Sequence, residues 1–514
     1  MMLRSLYQPR LTLNLGDPTL LRTLAVLALA LLLLRLGAMI GEGTLSPRLM
    51  LCGSFGVFLA AVSMRNPRAG VYVLVAALPW SFQTTSLDRG WYNWLTVRSD
   101  DLIVVLLFGI VATALAMRLD RPPLGRHGRH LLLAMLAYIG LTAVSALWTT
   151  HPLMALEYIK TPAIGVMLYL VVTSTLRTPA QVRQAIITFF VSSVLMALFN
   201  LNLIVHVSEA ARSFYALIFA DVYGERAWYY SHMGFFRLRG GIHPDPFGQY
   251  LAITLVLSLY LLSRRFTAGS RALAILGLSI LGAALLFTFT RQGYIDLILG
   301  ATVLAALSLR RPAILGGGIA IALVLLLAVQ LPAAQGALSS ASSFTRMQPV
   351  VEGQDASTLA RLKNYRESLA MIKDHPFGVG LASYQDFWPR YDLGTAPYGE
   401  ILPFAHDLYQ QVASERGLLT LASLLVIPAL ALATLRRLLR SGDGETQVLA
   451  RVLMAVIITF LIGGLFGPDL AWQSMISSLF FLVLGFAAVL ARCQEESARE
   501  AAPVEAAQPQ EATP

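Results

Sequence analysis

Residues 404–435 read FAHDLYQQVASERGLLTLASLLVIPALALATL, and the second half of this stretch decides the fold. From Gly417 to Leu435, nineteen residues carry no charge. At about 1.5 Å per residue such a run crosses the hydrocarbon core of a bilayer, roughly 30 Å thick. The first half is different in kind. His406, Asp407 and Glu415 lead straight into the apolar run. Charges at the mouth of a membrane segment cost free energy unless they face water or protein.

The rest of the chain repeats the apolar pattern. Of its 514 residues 56% are hydrophobic and 13% charged, about half the charged share of a soluble protein. Fourteen candidate spans follow, near 22–40, 47–64, 69–82, 101–117, 130–148, 153–174, 183–206, 246–263, 271–290, 292–309, 313–332, 411–435, 448–466 and 472–491. The chain is therefore expected to be an all-α polytopic transmembrane bundle. The in–out alternation of a membrane β-barrel is absent.

Charge gives the orientation. The net charge is +10, and its arginines sit in short loops, as the positive-inside rule expects. Every second loop is basic: Arg65 and Arg68; Arg118, Arg121, Arg126 and Arg129; Arg177 and Arg183; Arg264, Arg265 and Arg271; Arg310 and Arg311; Arg436, Arg437 and Arg440. That side is expected to be cytoplasmic, together with both termini. Arg4, Arg10 and Arg22 precede the first apolar run, which lacks a convincing cleavage site and is expected to be a retained span. Cys52 and Cys493 are isolated and form neither a disulfide framework nor a metal site.

The expected layout is a cytoplasmic segment over 1–21, eleven spans over 22–332, a large outer loop over 333–410, three spans over 411–492 and a disordered cytoplasmic tail over 493–514. The outer loops 207–245 and 333–410 are longer than a connection needs, which signals function. Within the second, residues 355–376 are amphipathic. Leu359, Leu362, Tyr365, Leu369 and Ile372 recur at helical spacing, while Arg361, Lys363, Arg366 and Lys373 lie mostly off that stripe. Such a helix packs on the bundle, or contacts lipid headgroups or an anionic substrate through its basic side.

The unusual polar groups collect on the outer side. Arg237, Arg239, His243 and Asp245 precede span eight, Arg291 lies in the turn before span ten with Asp296 five residues on, His406 heads span twelve, and Asp100 and Asp101 open span four. Arg291 could serve only the C-terminal dipole of span nine, yet cations are disfavoured in outer loops. Arg237 and Arg239 flank a glycine pair that lets backbone approach a ligand. His206, His232 and His243 fit no standard metal-ligand spacing. On a straight helical extension Glu415 would stand about 13 Å from His406 and half a turn out of phase. His406 is then free to face a cavity, and Glu415 to brace the helix against a neighbour, for instance through an arginine. Asp407 suits a helix start.

Four segments together resemble the O-antigen ligase and O-antigen polymerase family. HDLYQQVASERGLLTL is similar to its His-Asn-x-x-Leu…Glu-x-Gly segment, MIKDHPFGVGLASYQ to its Asp-His-Pro-x-Gly-x-Gly loop, RLRGGIHPDPFGQYLA to its Arg-x-x-Gly…Pro-Asn-x-x-Ala segment and TFTRQGYIDLILG to its Thr-x-Ser-Arg-x-Gly turn. They span residues 235–425 in the family's order. Asp407 and Asp245 stand where the family usually has asparagine, and either Arg237 or Arg239 matches its arginine.

The resemblance implies a GT-C-like bundle in the bacterial inner membrane, with the 333–410 loop in the periplasm. It implies a metal-independent inverting glycosyltransferase acting in surface polysaccharide biosynthesis, whether lipopolysaccharide or exopolysaccharide. The donor would be a glycan on polyprenyl (undecaprenyl) diphosphate. The acceptor would be a sugar hydroxyl of another glycan or of a lipid A core. His406 would be the base, Arg291 with Arg239 or Arg237 would hold the diphosphate, and Glu415, Asp407 and Asp245 would support them. No cofactor is implied. The acidic departures lean toward a polymerase over a ligase, which would meet a phosphorylated core. The rival of another class is a transporter of a small anion, expected to carry inverted repeats and midplane polar groups, neither of which is evident. A peptidoglycan-type polymerase would depend on an outer carboxylate instead of His406.

Overall fold

The computed structural model describes residues 47–80, 83–88, 94–118, 124–205, 229–232, 235–238, 244–263, 266–308, 356–394, 404–441, 443–468, 470 and 474–505. The expected spans 22–40 and 313–332 lie outside these residues, as do residues 1–21, His206, Arg239 and His243. In chain order the elements are α1 (Pro47–Arg65), α2 (Pro67–Ala77), β1 (Gln83–Asp88), β2 (Trp94–Arg98), α3 (Ser99–Arg118), α4 (Arg126–Ser145), α5 (Pro152–Thr175) and α6 (Pro179–Val205). There follow β3 (Tyr229–His232), β4 (Phe235–Leu238), α7 (Pro244–Ser258), α8 (Ala268–Thr288), α9 (Arg291–Leu307), α10 (Ala356–Asp374), α11 (Tyr384–Phe387), α12 (Leu408–Arg416), α13 (Leu418–Ser441), α14 (Gly444–Gly463) and α15 (Ser474–Glu505). The strands form two antiparallel hairpins, β1 with β2 and β3 with β4, and the other elements among the described residues are helices.

Eight helices among the described residues are long and apolar enough to cross a membrane: Arg126–Trp148, Pro152–Thr175, Pro179–Leu201, Pro244–Leu262, Ala268–Thr288, Leu418–Arg440, Gly444–Gly463 and Met475–Glu500. Of the other expected spans, 47–64, 69–82 and 101–117 fall on α1, α2 and α3, and 292–309 falls on the 17-residue α9. The helix through Pro244–Leu262 and α15 are buried along nearly their whole apolar lengths and form the centre of the bundle. α9 packs against α7 and α14, and α15 against α5. Polar side chains set several starts: Asn66 caps α2, Thr267 caps α8 and Asp443 caps α14 by accepting from Thr446 N at 2.6 Å.

Contacts between elements sort the helix ends into two faces. On one, Arg183 pairs with Glu445 at 2.8 Å, the N–H of Arg126 donates to Glu495 Oε2 at 2.9 Å, and buried Arg492 donates to the last carbonyls of α5, Thr173 at 2.7 Å and Leu176 at 2.5 Å. This is the arginine-rich face. On the other, Leu381 N meets Ser145 O at 3.0 Å, Leu408 N meets Gly464 O at 2.7 Å and Gln292 Nε2 meets Gly463 O at 3.3 Å.

Three expectations need correction. α15 runs on to Glu505, past residue 493 where a tail was expected, and the contacts of Arg492 and Glu495 tie that extension to α5 and α4. The run over 411–435 is two helices, because Gly417, at φ 87° and ψ 164°, ends α12 before α13 begins. Only glycine settles in that region of backbone space. A Cβ on Gly417 would lie 2.6 Å from the carbonyl carbon of Phe377, and Gly378, at φ 85°, packs just as closely on the Glu415 peptide.

The third correction concerns α10. It packs on the bundle, but not by its apolar stripe. The buried side is Ala360, Asn364, Glu367, Ser368 and Met371, while Leu359, Leu362 and Leu369 are exposed. The polar side goes inward because it is fully engaged there. Glu367 accepts from Trp388 Nε1 at 2.7 Å and from Leu393 N at 2.9 Å, Asn364 donates to Phe404 O at 3.2 Å, and Ser368 Oγ meets Tyr384 Oη at 2.9 Å.

Candidate active site

His406 does not stand on a helical extension, as a straight helix would require. It precedes α12 with φ 57°, the left-handed region that costs a histidine free energy. The surroundings over-determine this conformation. Asp407, the N-cap residue, accepts from Gln410 N at 2.7 Å, Ala405 N donates to Gln411 Oε1 at 2.7 Å, and Leu408 N is bound to Gly464 O. The half-buried imidazole lies 4.2 Å from the Phe404 ring, centre to centre.

Arg291 is the first residue of α9. α8 ends three residues earlier, with Phe289 in the left-handed conformation at φ 50°. Thr290 stands at the N-cap but its side chain makes no capping bond, so the first N–H groups of α9 are not occupied by it. A guanidinium at a helix N-terminus opposes that helix's dipole, so α9 does not need an arginine there. Together Arg291 and the helix start make a positive corner suited to an anion.

The two corners converge on one point. Gly464, just past α14, receives the backbone of Leu408, two residues from His406; Gly463 receives Gln292, one residue from Arg291. A Cβ on Gly463 would collide with Gln249 and stand 3.1 Å from the Asp296 carboxylate. Asp296 is fully buried in the second turn of α9. Asp245, in the first turn of α7, lies four residues before Gln249 and is half-buried. His406, Asp407, Arg291, Asp296 and Asp245 thus belong to elements meeting at the end of α14.

Glu415 belongs elsewhere. It lies at the far end of α12, about 10 Å along the axis from Leu408, and is fully buried. It holds the loop 376–384: Tyr384 N donates to its carboxylate at 3.4 Å, Gly380 N to its backbone oxygen at 3.0 Å, and Leu418 N reaches Pro376 O at 2.9 Å. Two of the quoted sequence segments, around residues 371–385 and 406–421, are therefore one folded unit. Among the described residues no arginine forms an ion pair with Glu415. Its neighbour Arg416 turns to α4 and α5, with its guanidinium 5.0 Å from the Tyr158 ring and donating to Tyr138 Oη at 2.5 Å. Burial raises the Glu415 carboxyl to about 7, against the pull of Arg416 and of the Tyr384 and Ala382 N–H groups. Burial likewise raises Asp407 to about 6, offset by the N–H groups of Gln410 and Tyr409.

Arg237 lies in β4, its side chain outside the described residues, and Arg239 lies wholly outside them. Some polar residues were not singled out from the sequence. Gln249, Gln292 and Gln411 gather around the α12 and α14 ends, and glutamines inside apolar helices were the available signal. Asp101, expected to open span four, pairs with Lys160 at 2.8 Å, and Lys160 with Glu157 at 3.0 Å. The i, i+3 placement of Glu157 and Lys160 in the first half of an apolar helix was its trace.

Residues 274–425 match the family model described as O-antigen ligase. That match assigns this segment to the O-antigen ligase family. It takes in Arg291, Asp296, α10, His406, Asp407 and Glu415, and leaves Arg237, Arg239 and Asp245 outside. It supports an O-antigen ligase-type role in envelope glycan biosynthesis, in a family of glycosyltransferase-like membrane enzymes. No match to the chain was found among curated proteins.

Proposed function

We propose that this O-antigen ligase-type protein moves a glycan from a polyprenyl diphosphate onto an acceptor sugar hydroxyl at the periplasmic face of the inner membrane. The observation that carries this reading is the convergence of Arg291 at the α9 N-terminus and His406 at the α12 lead-in on Gly463–Gly464. That point lies on the face opposite the arginine-rich one, and the positive-inside rule puts the arginine-rich face in the cytoplasm.

The acceptor oxygen attacks the anomeric carbon from the side opposite the diphosphate, with inversion. His406 takes the hydroxyl proton, the general-base role that histidine side chains fill most often. The bond from the anomeric carbon to the diphosphate oxygen breaks, and polyprenyl diphosphate leaves with the negative charge. Arg291, whose planar fork matches phosphate oxygens, stabilises that charge together with the first N–H groups of α9. Arg237 or Arg239 supplies a second cation. Asp407 and Asp245 support the acceptor side, and Glu415 positions the α12 unit. Two acidic groups there disfavour a phosphorylated acceptor, so polymerisation onto another lipid-linked glycan is preferred to ligation onto a lipid A core.

The test is an envelope glycan gel of a deletion strain complemented with wild type or His406→Ala. Loss of long-chain glycan that only wild type restores supports the site. A ladder collapsed to one repeat unit identifies a polymerase; lipid-linked polymer accumulating without surface chains identifies a ligase. Restoration by His406→Ala would refute the base.

A further inference from the structure

α10 leaves an apolar stripe uncovered, and its anchoring shows where that stripe points. Tyr365 Oη donates to Leu465 O at 2.7 Å, and Leu465 lies two residues beyond α14. After the far end of α10, Pro376 O accepts from the N–H of Leu418, the first residue of α13. α13 and α14 pack side by side, and both anchor points lie where these helices meet the bilayer surface. The nine steps from Tyr365 to Asp374 cover about 13.5 Å of axis, enough to span the 8–10 Å between packed helices. α10 therefore bridges the two helix ends and lies along the membrane plane.

Its sides can be placed around the axis. With Tyr365 at zero and about 100° per residue, Leu362 and Leu369 fall at roughly 40–60°, Arg366 and Lys373 at roughly 80–100°, and the buried side between roughly −60° and −160°. Tyr365 points to the level where α14 ends. The leucines next to it thus point to the bilayer edge, and the two cations lie just beyond them. Leu369 is 56% exposed, and exposed Leu465, Leu418, Leu419 and Phe377 continue the apolar surface from the spans to this helix.

We propose that α10 lies in the headgroup layer of the bilayer that the bundle spans, with Leu362 and Leu369 among acyl chains and Arg366 and Lys373 against phosphates of anionic phospholipids. Two observations select lipid as the occupant: the stripe is continuous with the membrane-facing ends of α13 and α14, and exposed Arg366 and Lys373 flank Leu362 and Leu369 on one side. An amphipathic helix with apolar residues below and basic residues above is the arrangement that binds an interface, and long cationic side chains reach the headgroups. The proposal rests on the spans and not on the transfer reaction. It also gives the site a fixed depth, since Asn364 and Ser368 of the same helix hold Phe404 and Tyr384 on either side of the His406 unit.

The test uses the full chain with Cys52→Ser and Cys493→Ser, carrying a single cysteine at Leu362, Leu369 or Ala370 and an environment-sensitive fluorophore. Ala370 is exposed about 80–100° around the axis from Leu362 and Leu369. The protein is reconstituted into vesicles of phosphatidylcholine, with and without phosphatidylglycerol. Labels at 362 and 369 are expected to be quenched several-fold more by lipids brominated near the headgroup than the label at 370, and less by aqueous iodide. Arg366→Gln with Lys373→Gln, in the 369-labelled chain, should weaken the lipid quenching only where phosphatidylglycerol is present. Equal iodide quenching at all three positions would place the helix in water and overturn the proposal. Shielding of 362 and 369 from both quenchers would mean a protein partner, a second copy included, and would overturn it as well.

Discussion

Replacing Asp407 by asparagine should stabilise the protein at alkaline pH and leave it unchanged at acidic pH. Asp407 is 5% exposed, and burial raises its carboxyl to about 6. In the unfolded chain the same group ionises near its ordinary value of about 3.9. Between those values the folded state still holds a proton that the unfolded state has released. The group's contribution is therefore fully present below about pH 4 and is lost as pH rises through about 6. Two units correspond to about 3 kcal/mol at most. Asparagine keeps an oxygen for the bond from Gln410 N, now 2.7 Å, and asparagine and aspartate cap helices about equally well. It has no charge to bury. The expected gain is up to about 3 kcal/mol at about pH 8 and close to nothing at about pH 3. Each kcal/mol moves the melting temperature of a 150–250-residue domain by about 2–4 °C, so this larger bundle should gain a few degrees. Thermal unfolding in detergent at both pH values measures it. The titration of Glu415 is common to both proteins and cancels in the difference. An equal gain at both pH values would show that charge burial is not the cause, and a loss at the higher pH would refute the reasoning.

Gly417→Ala should lower the melting temperature, since the ε-region backbone alone costs about 1–3 kcal/mol for alanine and the new Cβ meets Phe377; an unchanged melting curve would mean the α12–α13 break is not fixed. Arg492→Ala strands the Thr173 and Leu176 carbonyls and should cost about 2–3 kcal/mol, read as earlier unfolding and faster proteolysis near the end of α5. Arg291→Lys keeps the charge but loses the fork, and turnover should fall at least about tenfold with the melting temperature unchanged; wild-type turnover would remove the diphosphate role. Glu415→Gln retains an acceptor for Tyr384 N and, with wild-type burial raising the carboxyl to about 7, should leave stability unchanged below about pH 4 and raise it progressively to a plateau above about pH 7; an equal gain at about pH 3 and about pH 8 would contradict the burial argument.

How much was legible varies with the distance over which the physics acts. Hydropathy and span length are local, so α4 through α8, α13, α14 and α15 fall where the apolar runs lie. The quoted motifs marked Arg291, His406, Asp407 and Glu415, because unusual charges beside apolar runs are visible one residue at a time. The stripe of α10 was legible as a period but not as a direction. Periodicity shows that a helix has two sides. Which side turns inward depended on Trp388, Leu393, Phe404 and Tyr384, sixteen to forty residues away in the chain from the side chains they engage.

The sequence by itself determined that this chain is a helical membrane bundle, which face is basic and which residues are chemically out of place. Only the tertiary structure decided what those residues share. It broke the 404–435 stretch at Gly417, set His406 in a left-handed turn before the Asp407 cap, and sent Glu415 to the loop at 376–384. It brought Arg291 and His406, 115 positions apart by number, to adjoining helix ends through Gly463 and Gly464 at the end of α14. The physical reason is that transfer free energy depends on a residue and its neighbours in the chain, whereas hydrogen-bond satisfaction and close backbone approach depend on partners that only the folded bundle supplies.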